Sequence, residues 1–213
     1  MQISRPFPDV VHIHFDTQFE QNITLLRPSE HAESAGFKGK VFLLEDFMEY
    51  EFEQGGAFTY LEDSEGFNIP SSALDSFAAS FHPKSRREMT LLDALQAEPR
   101  PFYLIATYGE EANALDHEYA HALFDRSPAY RAEVTHALAR YDLAPIHTML
   151  GEQNYHPDVW LDEAQAYMSE PHAIENLARL DVDPRPHVEK CDELREIYER
   201  HMAAWRQESS PTA

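Results

Sequence analysis

The sequence is poor in cysteine, in basic residues and in long apolar runs. Its only cysteine, Cys191, cannot form an intramolecular disulfide, which permits a reducing compartment. No stretch approaches the roughly 20 apolar residues that a helix needs to cross a bilayer. The first six residues, Met1 to Pro6, lack the basic start and apolar run of a signal peptide. These absences predict a cytoplasmic protein without a membrane-spanning segment.

Basic residues are also outnumbered, because 17 Lys and Arg face 38 Asp and Glu for a formal net charge of -21. Such a surface repels phosphate backbones, so we do not expect nucleic acid as a partner. The excess acid can be a solvated coat that keeps the protein soluble, or it can steer cationic substrates towards a site. Both interpretations stay open at this point.

The chain is long enough for one domain and rich enough in apolar residues to bury a core. It has 213 residues, of which 43% are hydrophobic and 12% aromatic. Alternating apolar residues and turn signals are common before about residue 100, and helical spacing dominates after it. The pattern predicts strands at 10–15, 40–44, 57–61 and 102–107, with helices at 73–81, 90–97, 110–124, 128–141, 157–168 and 188–205.

One predicted helix carries the segment His117-Glu118-Tyr119-Ala120-His121, which has the form H-E-x-x-H. Residues four apart share one face of a helix, so both imidazoles can reach one metal ion. Glu118 projects about 100° away around the helix axis. It can therefore lie beside a metal-activated water as a general base and need not be a ligand. This chemistry points to Zn²⁺.

A catalytic zinc ion needs a third protein ligand and an open position. The class with a third histidine six residues after the second is excluded, because Ser127 occupies that position. His136 has no supporting motif. His12 and His14 alternate on one strand face, a pattern more typical of a polar sheet surface than of a metal site.

A later segment resembles the gluzincin zinc peptidases. Residues 157–167, Pro-Asp-Val-Trp-Leu-Asp-Glu-Ala-Gln-Ala-Tyr, are similar to the Trp-Leu-x-Glu-Gly-x-Ala segment of many gluzincins, in which the glutamate is the third ligand. Trp160, Leu161, Glu163 and Ala166 match, and Ala164 replaces the glycine. Glu163 follows His121 by 42 residues, within the range that such families use. The resemblance covers residues 102 to about 170.

The resemblance implies an α+β, zincin-like fold formed by a single domain over residues 1–213. A lobe at about 1–125 would hold a small mixed sheet with the zinc helix packed on it, and a helical lobe at 126–213 would hold the third ligand. The strand at 102–107 is either the edge strand along which gluzincins bind an extended peptide or a core strand. Trp160 is expected to pack the ligand helix against the zinc helix.

The sequence departs from thermolysin-like members at Tyr167, where they carry an aspartate that orients a zinc histidine. Asp116, Asp162 and Glu170 are the candidates for that role here. In similar enzymes a tyrosine or histidine stabilises the oxyanion. The candidates in this chain are Tyr141, His147, Tyr155 and His156, and the sequence does not choose among them.

The leading hypothesis is therefore a zinc-dependent hydrolase of peptide or amide bonds, acting on a peptide or protein substrate through Glu118. The alternative is a non-catalytic, metal-braced module that binds a protein through its acidic surface. Such a module would close the metal site with a fourth ligand, such as His136 or His156. An acidic inhibitor or nucleic-acid mimic is a third hypothesis, and it leaves the two motifs unexplained.

Overall fold

The computed structural model describes residues 1–81, 83–109 and 112–209. Its four strands are β1 (Gln2–Phe7), β2 (Val10–Phe15), β3 (Gly66–Pro70) and β4 (Tyr103–Tyr108). They form one sheet in the order β1-β2-β4-β3. The pair β2 and β4 is parallel and the other two pairs are antiparallel, so the sheet is mixed. The predicted α+β class with a small mixed sheet in the N-terminal half is confirmed.

Helices form most of the remainder of the described chain. In the N-terminal half they are α1 (Gln18–Glu33), α2 (Leu44–Gly55), α3 (Tyr60–Asp63), α4 (Ser71–Ser80) and α5 (Arg86–Leu95). In the C-terminal half they are α6 (Ala112–Arg126), α7 (Pro128–Leu138), α8 (Ala144–Glu152), α9 (Trp160–Ser169), α10 (Ala173–Arg179) and α11 (Val188–Ser209), with short 3-10 turns at Pro157–Val159 and Arg185–His187. Within residues 1–81, 83–109 and 112–209, no helix is both long and apolar enough to cross a membrane.

The sheet separates two layers of helices. Leu104 and Ala106 of β4 face a core that also contains Leu25 of α1 and Leu91 of α5. Alternate residues of the same strand point to the opposite face, because side chains on a strand alternate. There Tyr103 and Ile105 join a core built with α6, α7, α9 and α11. This second core draws on residues from both predicted lobes.

The connection from β4 to α6 places the H-E-x-x-H helix directly against the sheet. Gly109 follows β4 with φ of 62°, a left-handed conformation that glycine adopts without steric cost. Helix α6 then packs on β4 and β3. The predicted helix at 110–124 is confirmed from residue 112 onwards, whereas Glu110 and Glu111 lie outside the described residues.

Two predicted strands are wrong. Residues 40–43 form no strand, and α2 begins at Leu44, where the Asp46 carboxylate accepts a hydrogen bond from the Leu43 amide at 2.7 Å. Residues 57–61 run into the short helix α3, and the strand lies later, at β3. The apolar residues here serve a separate aromatic cluster that includes Phe42, Phe47 and Phe81, so they bury their rings without joining the sheet.

Helix α1 was not predicted, and it contains both a proline, Pro28, and several buried polar residues. Those polar groups are paired across the fold. Arg27 donates to both carboxylate oxygens of Glu88 in α5, at 2.8 and 2.5 Å. A buried ion pair of this kind is costly to break, because either partner alone would leave an uncompensated charge. It ties α1 to α5 on the sheet face opposite α6.

Glu30 of α1 is a buried acid without a basic partner among its main interactions. Burial raises its pKa from 4.5 to about 7, although the hydroxyls of Ser34 and Tyr60 favour the charged form. Because the folded-state pKa is raised, its protonated form stabilises the fold. That contribution is complete below about pH 4.5 and is lost as the pH rises through about 7. We expect Glu30→Gln to raise the free energy of unfolding by about 3 kcal/mol at pH 8 and by less than about 1 kcal/mol at pH 5.

Urea denaturation at the two pH values measures this difference. Glu62→Gln is the matched control, because Glu62 is an exposed glutamate on α3 and its substitution should change the free energy by less than about 0.5 kcal/mol. An equal effect of Glu30→Gln at pH 5 and pH 8 would contradict the prediction.

Candidate metal centre

The two sequence motifs meet between α6 and α9. His117, Glu118 and His121 lie on α6, and Glu163 lies on the first turns of α9, which packs against α6. The exposed fraction is 1% for His121, 2% for Glu163 and 4% for Glu118. Carboxyl groups are rarely buried to this extent unless they are paired or bind a metal. Their joint burial therefore requires a specific electrostatic explanation.

His117, His121 and Glu163 form a group that can hold a metal ion. Their ligand atoms all lie within 4.8 Å of one another. The Nε2 atoms of the two histidines are 3.1 Å apart, and Nε2 of His121 is 3.7 Å from Oε2 of Glu163. Tetrahedral ligands at 2.0–2.1 Å from zinc would be about 3.3 Å apart. The three side chains thus already have nearly the spacing of such a ligand set.

Two further carboxylates hold the imidazoles in this orientation. Nδ1 of His117 is 2.6 Å from Oε1 of Glu170, and Nδ1 of His121 is 2.9 Å from Oδ1 of Asp162. Hydrogen bonds from Nδ1–H to the carboxylates leave the Nε2 lone pairs facing each other. Asp162 and Glu170 were two of the three candidates for this orienting role. The third, Asp116, instead bonds Arg195 and Tyr198 of α11.

The orienting carboxylates are themselves held in place. The Asn176 side-chain amide donates to Glu170, and the Gln165 amide donates to Asp162 at 3.0 Å. Tyr130 of α7 in turn donates to Gln165 at 2.6 Å. These hydrogen bonds come from α7, α9 and α10, and they restrict the rotamers of both imidazoles. Removing a partner that orients a metal ligand typically weakens metal binding about 10- to 100-fold.

The electrostatic field at the site favours positive charge. Burial alone would lower the pKa of His121, but Asp162 and Glu163 outweigh it and raise that pKa well above the usual value. For His117 burial is likewise outweighed, chiefly by Glu170, and its pKa is raised. Burial raises the pKa of Glu163, although both histidines oppose that change. The group as a whole attracts either protons or a cation.

Among the residues that the structure describes, two buried carboxylate oxygens have no hydrogen-bond partner, Oε2 of Glu118 and Oε2 of Glu163. An unsatisfied buried oxygen of this kind costs free energy, and a cation would offset that cost. Facing imidazole lone pairs 3.1 Å apart also repel each other unless a proton or a metal ion lies with them. The residues present therefore fit a divalent metal with a His, His, Glu ligand set.

Glu118 extends from α6 towards β3, and the absence of a side chain at Gly66 makes room for it. A Cβ atom on Gly66 would lie 3.1 Å from both Cγ and Cδ of Glu118, and still closer to Oε1. Burial raises the pKa of Glu118, while the histidines and the Asn68 side chain favour its charged form. Asn68 in turn accepts a hydrogen bond from Tyr103 at 2.6 Å. Glu118 therefore lies beside the edge strand of the sheet.

Further ionisable groups lie near the site. Glu33, at the end of α1, has its pKa raised well above the usual value by burial and by Glu163. The ring of Tyr167 lies 4.8 Å from that of His117. Burial and the neighbouring Glu163 raise the pKa of Tyr155, one of the four oxyanion candidates. Tyr155 and Tyr167 were singled out from the sequence, whereas Glu33 and Gly66 belong to distant segments without a motif.

The other candidates lie elsewhere. Tyr141 donates to Glu193, His147 packs against the Trp160 ring at 5.1 Å, and His156 is 3.4 Å from Asp158. The Trp160 ring also contacts α8, and its Nε1 donates to the Tyr155 carbonyl. Because Trp160 borders the core that α6 and α9 share, its role in packing these two helices together stays a prediction. Within the described residues, the metal-competent group includes neither His136 nor the pair His12 and His14.

Comparisons with protein-family models, with curated proteins and with solved structures found no match for this chain. The similarity to gluzincins therefore stays a prediction from the two motifs.

Replacing Glu163 tests the ligand set. We expect Glu163→Ala to weaken zinc binding by at least about 100-fold, because losing a direct ligand should cost more than losing an orienting partner. Competition titration with a chromophoric zinc chelator measures both affinity and stoichiometry. The wild type should bind one equivalent.

The matched control is Glu175→Ala, which removes an exposed glutamate from the neighbouring helix α10. It should bind zinc as the wild type does. Equal affinities for the wild type and Glu163→Ala would exclude Glu163 as a ligand.

Proposed function

We propose that the protein is a zinc-dependent hydrolase of peptide or amide bonds, of gluzincin type and zincin-like fold. The observation that carries the proposal is the convergence of His117, His121 and Glu163 beside the buried carboxylate of Glu118. The two sequence motifs and the orienting carboxylates support the same assignment. Zinc as the metal and a peptide or protein as the substrate both belong to this proposal.

When bound, zinc supplies Lewis acidity, which polarises a carbonyl oxygen and makes water nucleophilic near neutral pH. His117, His121 and Glu163 hold the ion, and Glu170 and Asp162 keep the two imidazoles oriented. Glu118 takes a proton from the attacking water and passes it to the leaving amine. Its raised pKa suits this role, because a base must hold the proton long enough to deliver it.

The sheet edge next to Glu118 suits an extended substrate. The strand at 102–107 was one candidate for the peptide-binding edge. It is β4, which lies inside the sheet between β2 and β3. Strand β3 forms the edge, and its Gly66 lies against Glu118. An extended peptide pairing with that edge would pass close to the base. Tyr155, near Glu163, is the phenol that we assign to stabilising the oxyanion.

The ligand count favours the hydrolase over a metal-braced binding module. A purely structural zinc site is closed by four protein ligands. Among the described residues the metal-competent group has three members, and His136 and His156 belong to other contacts. A structural site also has no use for a buried, unpaired Glu118 oxygen.

Removing the base should separate chemistry from metal binding. Glu118→Gln keeps the shape of the side chain but cannot accept the proton. We expect kcat/KM on internally quenched peptides to fall by about 10²–10⁴-fold, with zinc stoichiometry unchanged.

Glu152→Gln, at an exposed position on α8, is the control and should keep full activity. Full activity of Glu118→Gln, or no cleavage of any peptide by the zinc-loaded wild type, would refute the proposed function.

Gly66 offers a test of where Glu118 must lie. A methyl group at this position forces the buried Glu118 side chain to move, because its Cγ and Cδ atoms are only 3.1 Å from the added Cβ. We expect Gly66→Ala to lower kcat by at least about 10-fold while zinc binding persists.

Gly55→Ala is the matched control, since a Cβ there meets nothing within 4 Å. Unchanged kcat in Gly66→Ala would contradict the placement of the base against β3.

A further inference from the structure

Helix α2 exposes large apolar side chains that the described fold leaves uncovered. Phe52 is 63% exposed and Met48 is 38% exposed, although Phe47 on the same helix is fully buried in the aromatic cluster. Just before the helix, Val41 and Leu43 are also exposed, whereas Phe42 between them is buried. Large apolar groups gathered on one element in this way usually mark a contact surface.

The exposed apolar residues form a row along the helix. Leu44, Met48 and Phe52 are four residues apart, so they lie along one edge of α2 from its first turn to its last. Leu44 is half-buried and Phe52 is the most exposed of the three. The row thus begins at the aromatic cluster and runs out into solvent.

An acidic row lies directly beside the apolar one. Glu45, Glu49 and Glu53 are again four residues apart and all exposed, and each follows its apolar neighbour by one position, about 100° around the axis. The sequence of α2 is LEDFMEYEFEQG, which contains five acids and no base. The helix therefore presents an apolar edge next to a strongly negative edge.

We propose that α2 is a docking surface for a basic amphipathic helix of another protein. Such a partner would pack its apolar face on Leu44, Met48 and Phe52 and place Lys or Arg beside Glu45, Glu49 and Glu53. The apolar contact supplies affinity, and the charge match supplies register and a fast, salt-sensitive association. The surface is distinct from the metal centre.

Charge decides between this partner and a second copy of the chain. Two copies meeting through α2 would bring two acidic rows together, in addition to a formal net charge of -21 on each chain. Like charges at a contact oppose association, so self-pairing is disfavoured. The same charge disfavours an anionic membrane surface.

Binding of a labelled synthetic peptide to the full-length protein tests the proposal. The probe is a helical peptide of leucine and lysine with all leucines on one face, and its scrambled isomer is the control peptide. We expect fluorescence anisotropy to show binding of the amphipathic peptide, a Kd at least about tenfold weaker for the scrambled one, and weakening with added salt.

Two protein variants with the same composition change locate the surface. Met48→Gln with Phe52→Gln should weaken binding at least about tenfold. Phe19→Gln with Met89→Gln should change it less than twofold, since these residues are comparably exposed but lie on α1 and α5. Neutralising Glu45, Glu49 and Glu53 to glutamine should weaken binding and remove most of the salt dependence.

The proposal is overturned if neither peptide binds, if both bind equally, or if the α1 and α5 variant loses as much affinity as the α2 variant. A concentration-dependent dimer in light scattering that Met48→Gln with Phe52→Gln dissolves would assign the surface to a second copy instead. If the protein binds lipid vesicles and Met48→Gln with Phe52→Gln abolishes that binding, the surface would be assigned to a membrane.

Discussion

The opposition of two imidazoles, each tied through Nδ1 to a carboxylate, is the interaction on which the site depends. It directs both Nε2 atoms to one point, next to the buried oxygen of Glu163. This arrangement is unfavourable without a positive charge at that point, because lone pairs and carboxylates face one another in a region shielded from water. Helices α6 and α9 hold it together, and the sheet beneath α6 keeps the first of them fixed.

The same logic explains why so much acid is buried on this side of the molecule. Glu118, Glu163 and Glu33 all have raised pKa values, and burial is the largest cause for each. Burying them costs stability unless a cation or protons compensate. By contrast, Glu88 on the opposite face of the sheet is paired with the buried Arg27.

Much of the candidate metal centre was predictable because its information is local. Helical periodicity places His117 and His121 on one face, and a short motif marks Glu163. Asp162 and Glu170 lie close in sequence to Glu163, which made them candidates for the orienting role as well. Gly66 and Glu33 could not be found this way, since their roles depend on which distant segments the sheet and α1 bring to the site.

The fold was predictable where one force dominates. The apolar runs at 10–15 and 102–107 are strands because both faces of the inner sheet are buried. The runs at 40–44 and 57–61 were misassigned, because their aromatic residues serve a cluster between helices that has no strand periodicity. Helix α1 escaped prediction because tertiary partners such as Glu88 satisfy its buried polar side chains, and Pro28 hides its periodicity.

X-ray absorption at the zinc edge, on protein loaded with one equivalent, tests the central claim most directly. We expect a first shell of two imidazole nitrogens and one carboxylate, completed by a non-protein oxygen, at about 2.0–2.1 Å. A shell with three or more imidazoles, or a protein that takes up no zinc at all, would contradict the assignment of His117, His121 and Glu163 as an open catalytic site.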